Sequence, residues 1–153
     1  YPESFIKGQT LVLTTTNGTK LLHMAFNNGA NEIITGSFAN LDTVVNHLIK
    51  KKKSVLLACA AWKDRINIED LLFAGAVIQK IQDHFSINCD SSKIALSICN
   101  EAGSDFYQYM KEKQASHYQR LSSYGLEKDI EHCLTPNTAN VLPVYKEGKL
   151  VKG

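Results

Sequence analysis

Cys59-Ala-Ala-Trp-Lys-Asp-Arg-Ile-Asn-Ile-Glu-Asp-Leu-Leu-Phe-Ala-Gly-Ala-Val77 decides how this chain reads. An apolar run, Ser54–Ala60, leads into it, a charged turn follows, and acidic residues open a helix too apolar to lie on a surface. In α/β proteins a strand, a polar turn and a helix N-terminus in succession are a usual place to hold an anion. Amide N–H groups at the helix start point at the ligand, and the helix dipole favours negative charge. The same residues also read as an ordinary capped helix, so the segments on either side must decide.

Upstream, two more strand–helix units precede it. Thr10–Thr16 is a β-branched run closed by Asn17-Gly18, and Glu32–Thr35 with its flanks is a second apolar run. Nearly continuous apolar runs, rather than strict alternation, suit strands covered on both faces. Helical patterns follow each run, at Thr19–Asn27, Leu41–Lys51 and Ile68–Phe85. Alternation of this kind predicts an α/β fold: three layers around a mostly parallel sheet, built from strand–helix units in one domain over residues 1–153. Residues 90–134 predict a helical insertion of shorter helices, broken near Gly103, Ser116 and Gly125. A C-terminal strand, Val141–Tyr145, comes next, and Glu147-Gly148 suits the turn of a hairpin return.

Composition narrows the function classes. A chain of 153 residues supports one core, and its net charge of +2 gives no argument for nucleic acid. The Lys50–Lys53 run falls at a helix end, where cations complement the dipole. No apolar run spans a membrane. Cys59, Cys89, Cys99 and Cys133 show neither CxxC pairing nor metal-ligand spacing with the histidines, so a reduced, cytoplasmic protein is the simplest expectation.

Three turns are expected to meet beyond the carboxyl ends of the parallel strands. The first is Thr14–Thr19, with Thr16, Asn17, Gly18 and Thr19 its candidates; its hydroxyls and N–H groups suit phosphate or sulfonate oxygens, or alternatively Asn17 or Thr16 caps a helix. Ser37, in the second, can donate to an anion, while Asn40 reads as an N-cap. The third places Lys63, Asp64 and Arg65 in the turn and Glu69 and Asp70 in the first helical turn. Adjacent helical residues do not share a face, so Glu69 is expected to look into the crevice, as a ligand for a hard cation such as Mg²⁺. Asp70, with Asn67, is expected to cap the helix. The chain has only two arginines, Arg65 and Arg120, against fifteen lysines. Arginine's rigid fork suits phosphate and carboxylate, and His117, three residues before Arg120, falls on the same helix face. Such a pair can hold an anion or move a proton.

Thr15–Thr19, Gly36–Asn40, Cys59-Ala60 continuing to Arg65 and Glu69-Asp70, Ala74-Gly-Ala76, His117 with Arg120-Leu121, Gly125–Ile130 with Cys133, and Val141-Leu-Pro-Val144 occur in that order. Together they resemble the 2-phosphosulfolactate phosphatase family, from end to end of the chain. The resemblance implies a Mg²⁺-dependent phosphomonoester hydrolase that converts 2-phosphosulfolactate to 3-sulfolactate and phosphate, a step of coenzyme M biosynthesis. It implies a small anionic phosphorylated substrate, with no nucleic acid or membrane partner, and it allows a homodimer. Glu69 and His117 would be catalytic, with Glu69 on the metal. Thr16, Asn17, Gly18, Thr19, Ser37, Arg65 and Arg120 would bind substrate. Family members commonly have a glycine-rich turn after Cys-Ala, where this chain has Ala61, Trp62 and Asp64. They also carry a further N-terminal segment, so the chain is expected to be a fragment lacking it. Two other readings stand beside the first: a phosphatase for another phosphorylated hydroxy acid, and a non-catalytic anion-binding domain.

Overall fold

The computed structural model describes residue 4, residues 7–9 and residues 15–153. At its centre lies α3 (Ile68–Ile81), buried at seven of its fourteen positions. It follows α1 (Thr16–Asn27) and α2 (Leu41–Lys51), and precedes α4 (Asp90–Ala102), α5 (Phe106–Glu112), α6 (Ser116–Ser122) and α7 (Glu127–Leu134). A hairpin of β1 (Pro143–Lys146) and β2 (Lys149–Lys152) closes the chain. No helix among the described residues is long and apolar enough to cross a membrane.

Local chemistry accounts for the helices. In α2 the buried Leu41, Val44, Val45 and Leu48 form one stripe at helical spacing. Asp42 lies in its first turn and Lys50 and Lys51 in its last, each complementing the dipole. Lys52 ends it in the left-handed conformation, its N–H donating to the Leu48 carbonyl at 3.1 Å. The hairpin forms as expected. Glu147 and Gly148 have φ of 49° and 80°, the paired positive values of a type I′ turn, whose twist matches that of the strands. The insertion over 90–134 is helical, as predicted, and pauses at Gly103 and Gly125 with φ of 64° and 71°.

The expected three-layer parallel sheet is not seen among the described residues. The helix–strand mixture is present, but the one sheet among the described residues is the antiparallel β1–β2 pair. The second predicted strand makes a single bridge, Ile34 to Val144, and it is antiparallel. The turn beginning at Gly36 ends that run after one pairing, with Thr35 N–H on the Pro143 carbonyl and Tyr145 N–H on the Ile33 carbonyl. The third, Ser54–Ala60, has no regular secondary structure and no sheet partner among the described residues. Leu57 packs against the core while Leu56 is 88% exposed. Burial and alternation can propose a strand, but only a neighbouring backbone makes one. Of the first, Thr10–Thr14 lies outside the described residues, and Thr16 begins a helix instead.

Asn40 is buried, and its side chain ties the Thr35–Ser37 segment to Val141 rather than serving as an isolated cap. Its Oδ1 accepts from the Ser37 N–H at 2.8 Å, and its Nδ2 donates to the carbonyls of Thr35 and Val141 at 3.2 and 2.9 Å. Asn40→Ala strands a donor and two acceptors and is expected to cost about 1–3 kcal/mol, read as a lowered Tm in thermal unfolding.

Candidate active site

The 61–65 turn is the point at which the sequence-predicted residues come together. Its backbone closes on itself: the N–H of Trp62 donates to the Arg65 carbonyl at 3.1 Å, and that of Arg65 to the Trp62 carbonyl at 3.0 Å. Ala61, Lys63 and Asp64 all take positive φ, at 62°, 52° and 57°. Left-handed geometry at a residue with a Cβ costs about 1–3 kcal/mol, so the surroundings must hold it. Two side chains do so. Asn17 Nδ2 donates to the Ala61 carbonyl at 2.7 Å, and the Ala61 N–H donates to Asp70 Oδ2 at 2.8 Å. Two clamps therefore hold Ala61 in a left-handed geometry that glycine adopts most readily.

These clamps revise two expected roles. Asp70 does not cap its own helix, since α3 has no side-chain cap hydrogen bond at Asn67. Its carboxylate faces back to the turn, with Asn67 Nδ2 a further 3.5 Å donor. Asn17 likewise spends its amide on the turn. The segment Thr16–Thr19 is the first turn of α1, without a side-chain cap, and Gly18 lies where an added Cβ would meet Thr15 Oγ1 at 2.9 Å. Between α1 and the turn lies a cleft of about 330 Å³, lined by Asn17, Lys20, Cys59 and Arg65 among others. Burial first, and then the nearby Asp70 charge, push the Cys59 thiol above its usual range. Thiolate chemistry is thereby disfavoured at this wall.

On the other side of the turn, Glu69 Oε1 meets His117 Nδ1, and Arg120 donates through NH2 to His117 Nε2 at 2.9 Å. A guanidinium has no acceptor, so Nε2 must be the lone-pair nitrogen and Nδ1 must carry the proton given to Glu69. The result is a carboxylate–imidazole–guanidinium line. It joins the first turn of α3 to α6, forty-eight residues later in the chain. Arg120 also lies over Trp62, 5.1 Å from the ring centroid, and Lys63 lies over the same ring at 4.6 Å. Lys63, Arg65 and Arg120 have no carboxylate partner among the described residues, whereas Lys20 pairs with Asp64 at 3.6 Å. Uncommitted cations around a closed turn suit a multiply charged anion.

Ser37 is not joined to this line by any hydrogen bond among the described residues. Its turn does pass close by, because Gly36 lies against Phe73, one helical turn beyond Glu69, and an added Cβ there would sit 2.7 Å from the ring. Sequence reasoning noticed Lys63 as charge in the turn and Trp62 as a departure from the family pattern, but gave neither a site role, and it passed over Lys20. The available signal was a lone tryptophan inside a basic turn, since an indole face attracts cations. As for a metal, the described residues contain no group of three His, Cys, Asp or Glu side chains. Asp70 is committed to the turn, which leaves Glu69 as the carboxylate there that a hard cation can share with phosphate oxygens. Magnesium is commonly held by one or two carboxylates plus substrate and water, so the donor chemistry fits in kind.

The four cysteines are free. Cys89 stands apart from the site, with hydrogen bonds from the Ser91 and Ser92 hydroxyls lowering its thiol to about 7. At neutral pH it is expected to carboxymethylate well before the buried Cys99, whose thiol burial pushes up. The Cys89 rate should climb from pH 6 to pH 8 as the thiolate forms, which peptide mass spectrometry of iodoacetate-treated protein can follow.

The sequence profile described as 2-phosphosulpholactate phosphatase matches residues 1–148. A probable 2-phosphosulfolactate phosphatase of Thermotoga petrophila is 36% identical over 151 residues, covering 99% of this chain and 63% of that protein. The corresponding protein of Thermotoga maritima is 35% identical, with the same two coverages. That of Caldanaerobacter subterraneus subsp. tengcongensis is 30% identical over 97% of this chain and 60% of its own length. The chain thus spans about three-fifths of the relatives it matches, and within that span it belongs to the 2-phosphosulpholactate phosphatase family.

Proposed function

We propose that this chain contributes the acid–base and anion-holding side of a phosphomonoester hydrolase acting on 2-phosphosulfolactate, with 3-sulfolactate and phosphate as products. The observation that carries the reading is the Glu69–His117–Arg120 line, with Arg120 and Lys63 both lying over Trp62 of the adjoining turn. The substrate carries a sulfonate, a carboxylate and a nearly dianionic phosphate, about four negative charges at pH 7. Arg120 and Arg65 bind these groups, and Asn17 and the start of α1 keep the turn in place.

When Arg120 turns to the phosphate, His117 Nε2 is left open as a proton acceptor. It takes the proton of the attacking water as the new O–P bond forms. The ester P–O bond breaks, and the imidazolium returns the proton to the departing alkoxide. Glu69, charged and hydrogen-bonded to Nδ1, stabilises the transient imidazolium and fixes the tautomer. Mg²⁺ held by Glu69 and the phosphate would offset charge on the phosphoryl oxygens and make the water more acidic. A cytoplasmic homodimer serving coenzyme M biosynthesis completes the proposal.

Phosphate release from 2-phosphosulfolactate, measured with Mg²⁺ and with chelator, tests it. Release that depends on Mg²⁺ is the expected result, and metal-independent turnover would count against it. A panel of phosphorylated hydroxy acids with carboxylate in place of sulfonate separates the alternative substrate class. Because the described residues lack a three-ligand cluster, anion binding without release is the specific outcome that would favour a non-catalytic domain.

A further inference from the structure

One group at this turn is used neither by the anion-holding arginines nor by the proton path. Trp62 is the chain's single tryptophan. Its ring is partly buried, while Lys63 and Arg120, which both lie over it, are exposed. Two cations gathered on one ring repel each other, and the indole face offsets that repulsion. An arriving anion removes what remains of it by interacting with both.

The ring also fixes the plane of the Arg120 guanidinium. Arg120 sits on α6, a helix of seven residues anchored through the buried Tyr118, and among the described residues its side chain is otherwise held by His117 alone. Without a face to lie on, a long exposed side chain samples many rotamers and loses entropy when it binds. The tight turn gives Trp62 little freedom, since its backbone is paired to Arg65 and clamped through Ala61.

We propose that Trp62 is a positioning and specificity-determining residue of the anion site, its indole holding Lys63 and Arg120 together for a phosphate-bearing ligand. The inference rests on the anion-site reading above and assigns to this chain a platform that a glycine turn cannot supply. Because the chain has one tryptophan, fluorescence excited at the red edge, where its six tyrosines do not absorb, reports on this ring alone. Titrating inorganic phosphate into the full chain should change that fluorescence saturably, with the same midpoint as calorimetry. Arg120→Gln should remove most of the change.

Trp62→Leu should weaken phosphate binding about five- to tenfold, and Trp62→Phe should restore it to within about threefold. Circular dichroism and Tm should stay as in the unaltered chain. In turnover, Trp62→Leu should raise KM and leave kcat nearly unchanged, because Glu69 and His117 are untouched. Equal phosphate affinity in Trp62→Leu, or fluorescence unmoved at saturating phosphate, overturns the proposal and leaves the hydrolase reading standing. Absence of phosphate binding to the unaltered chain overturns both. Binding that follows Trp62 as described but yields no hydrolysis overturns the hydrolase reading alone.

Discussion

Glu69→Gln is expected to lower phosphate release from the substrate about 100- to 10,000-fold, the usual share of a positioned acid–base system. The substitution keeps the size and helix propensity of the side chain but removes its charge. His117 can still donate Nδ1–H to the amide oxygen, yet an imidazolium formed beside a neutral amide lacks its counter-charge. Affinity for inorganic phosphate should hold or tighten, because a negative charge has left a site built for anions. A fall in kcat with undiminished phosphate binding therefore separates this effect from misfolding. Steady-state kinetics beside calorimetry make the measurement, and full activity in the variant would remove Glu69 from the mechanism.

The largest effect on stability is expected at Gly75. A Cβ built there would lie 2.2 Å from the Ala95 carbonyl oxygen and 2.6 Å from the Cys99 Cβ, so α3 and α4 touch at this point almost backbone to backbone. In an isolated helix Gly→Ala is stabilising by about 1 kcal/mol. In this packing the sign reverses, because the obstructing atom is backbone and cannot rotate away. Gly75→Ala should cost about 3 kcal/mol, the upper end for overpacking. For a chain of this size that lowers Tm by about 6–12 °C. Activity should fall as well, since Glu69 and the clamp residue Asp70 ride on the N-terminal turn of the displaced helix. An unchanged or raised Tm in differential scanning calorimetry would mean the two helices do not approach so closely.

These two sites show where sequence reasoning reached and where it stopped. That the middle of α3 is buried follows from the unbroken apolar run Leu71–Ile78, which leaves no polar stripe there for water. That Gly75 lies against Ala95 does not follow, because a helix's own periodicity carries no information on which neighbour crosses it. The pairing of His117 with Arg120 was legible, since three residues on a helix is one face. Their meeting with Glu69 was not, because it depends on how α6 folds back onto α3 across the intervening helices.

What the sequence determined by itself is local and periodic. It set the α2 stripe of Leu41, Val44, Val45 and Leu48, the apolar α3, the helical insertion and the Glu147-Gly148 hairpin turn. It also marked Glu69, His117, Arg65 and Arg120 as chemistry worth placing. Each of these rests on forces between residues a few positions apart. The tertiary structure decided the rest. It turned Asp70 and Asn17 from expected caps and ligands into clamps on the Ala61 turn, and it made Trp62 a seat for two cations. It also left Ser54–Ala60 without a sheet partner among the described residues. Hydrogen bonds and cation–π contacts between segments form only when packing, driven by non-directional burial of α3, has brought those segments together.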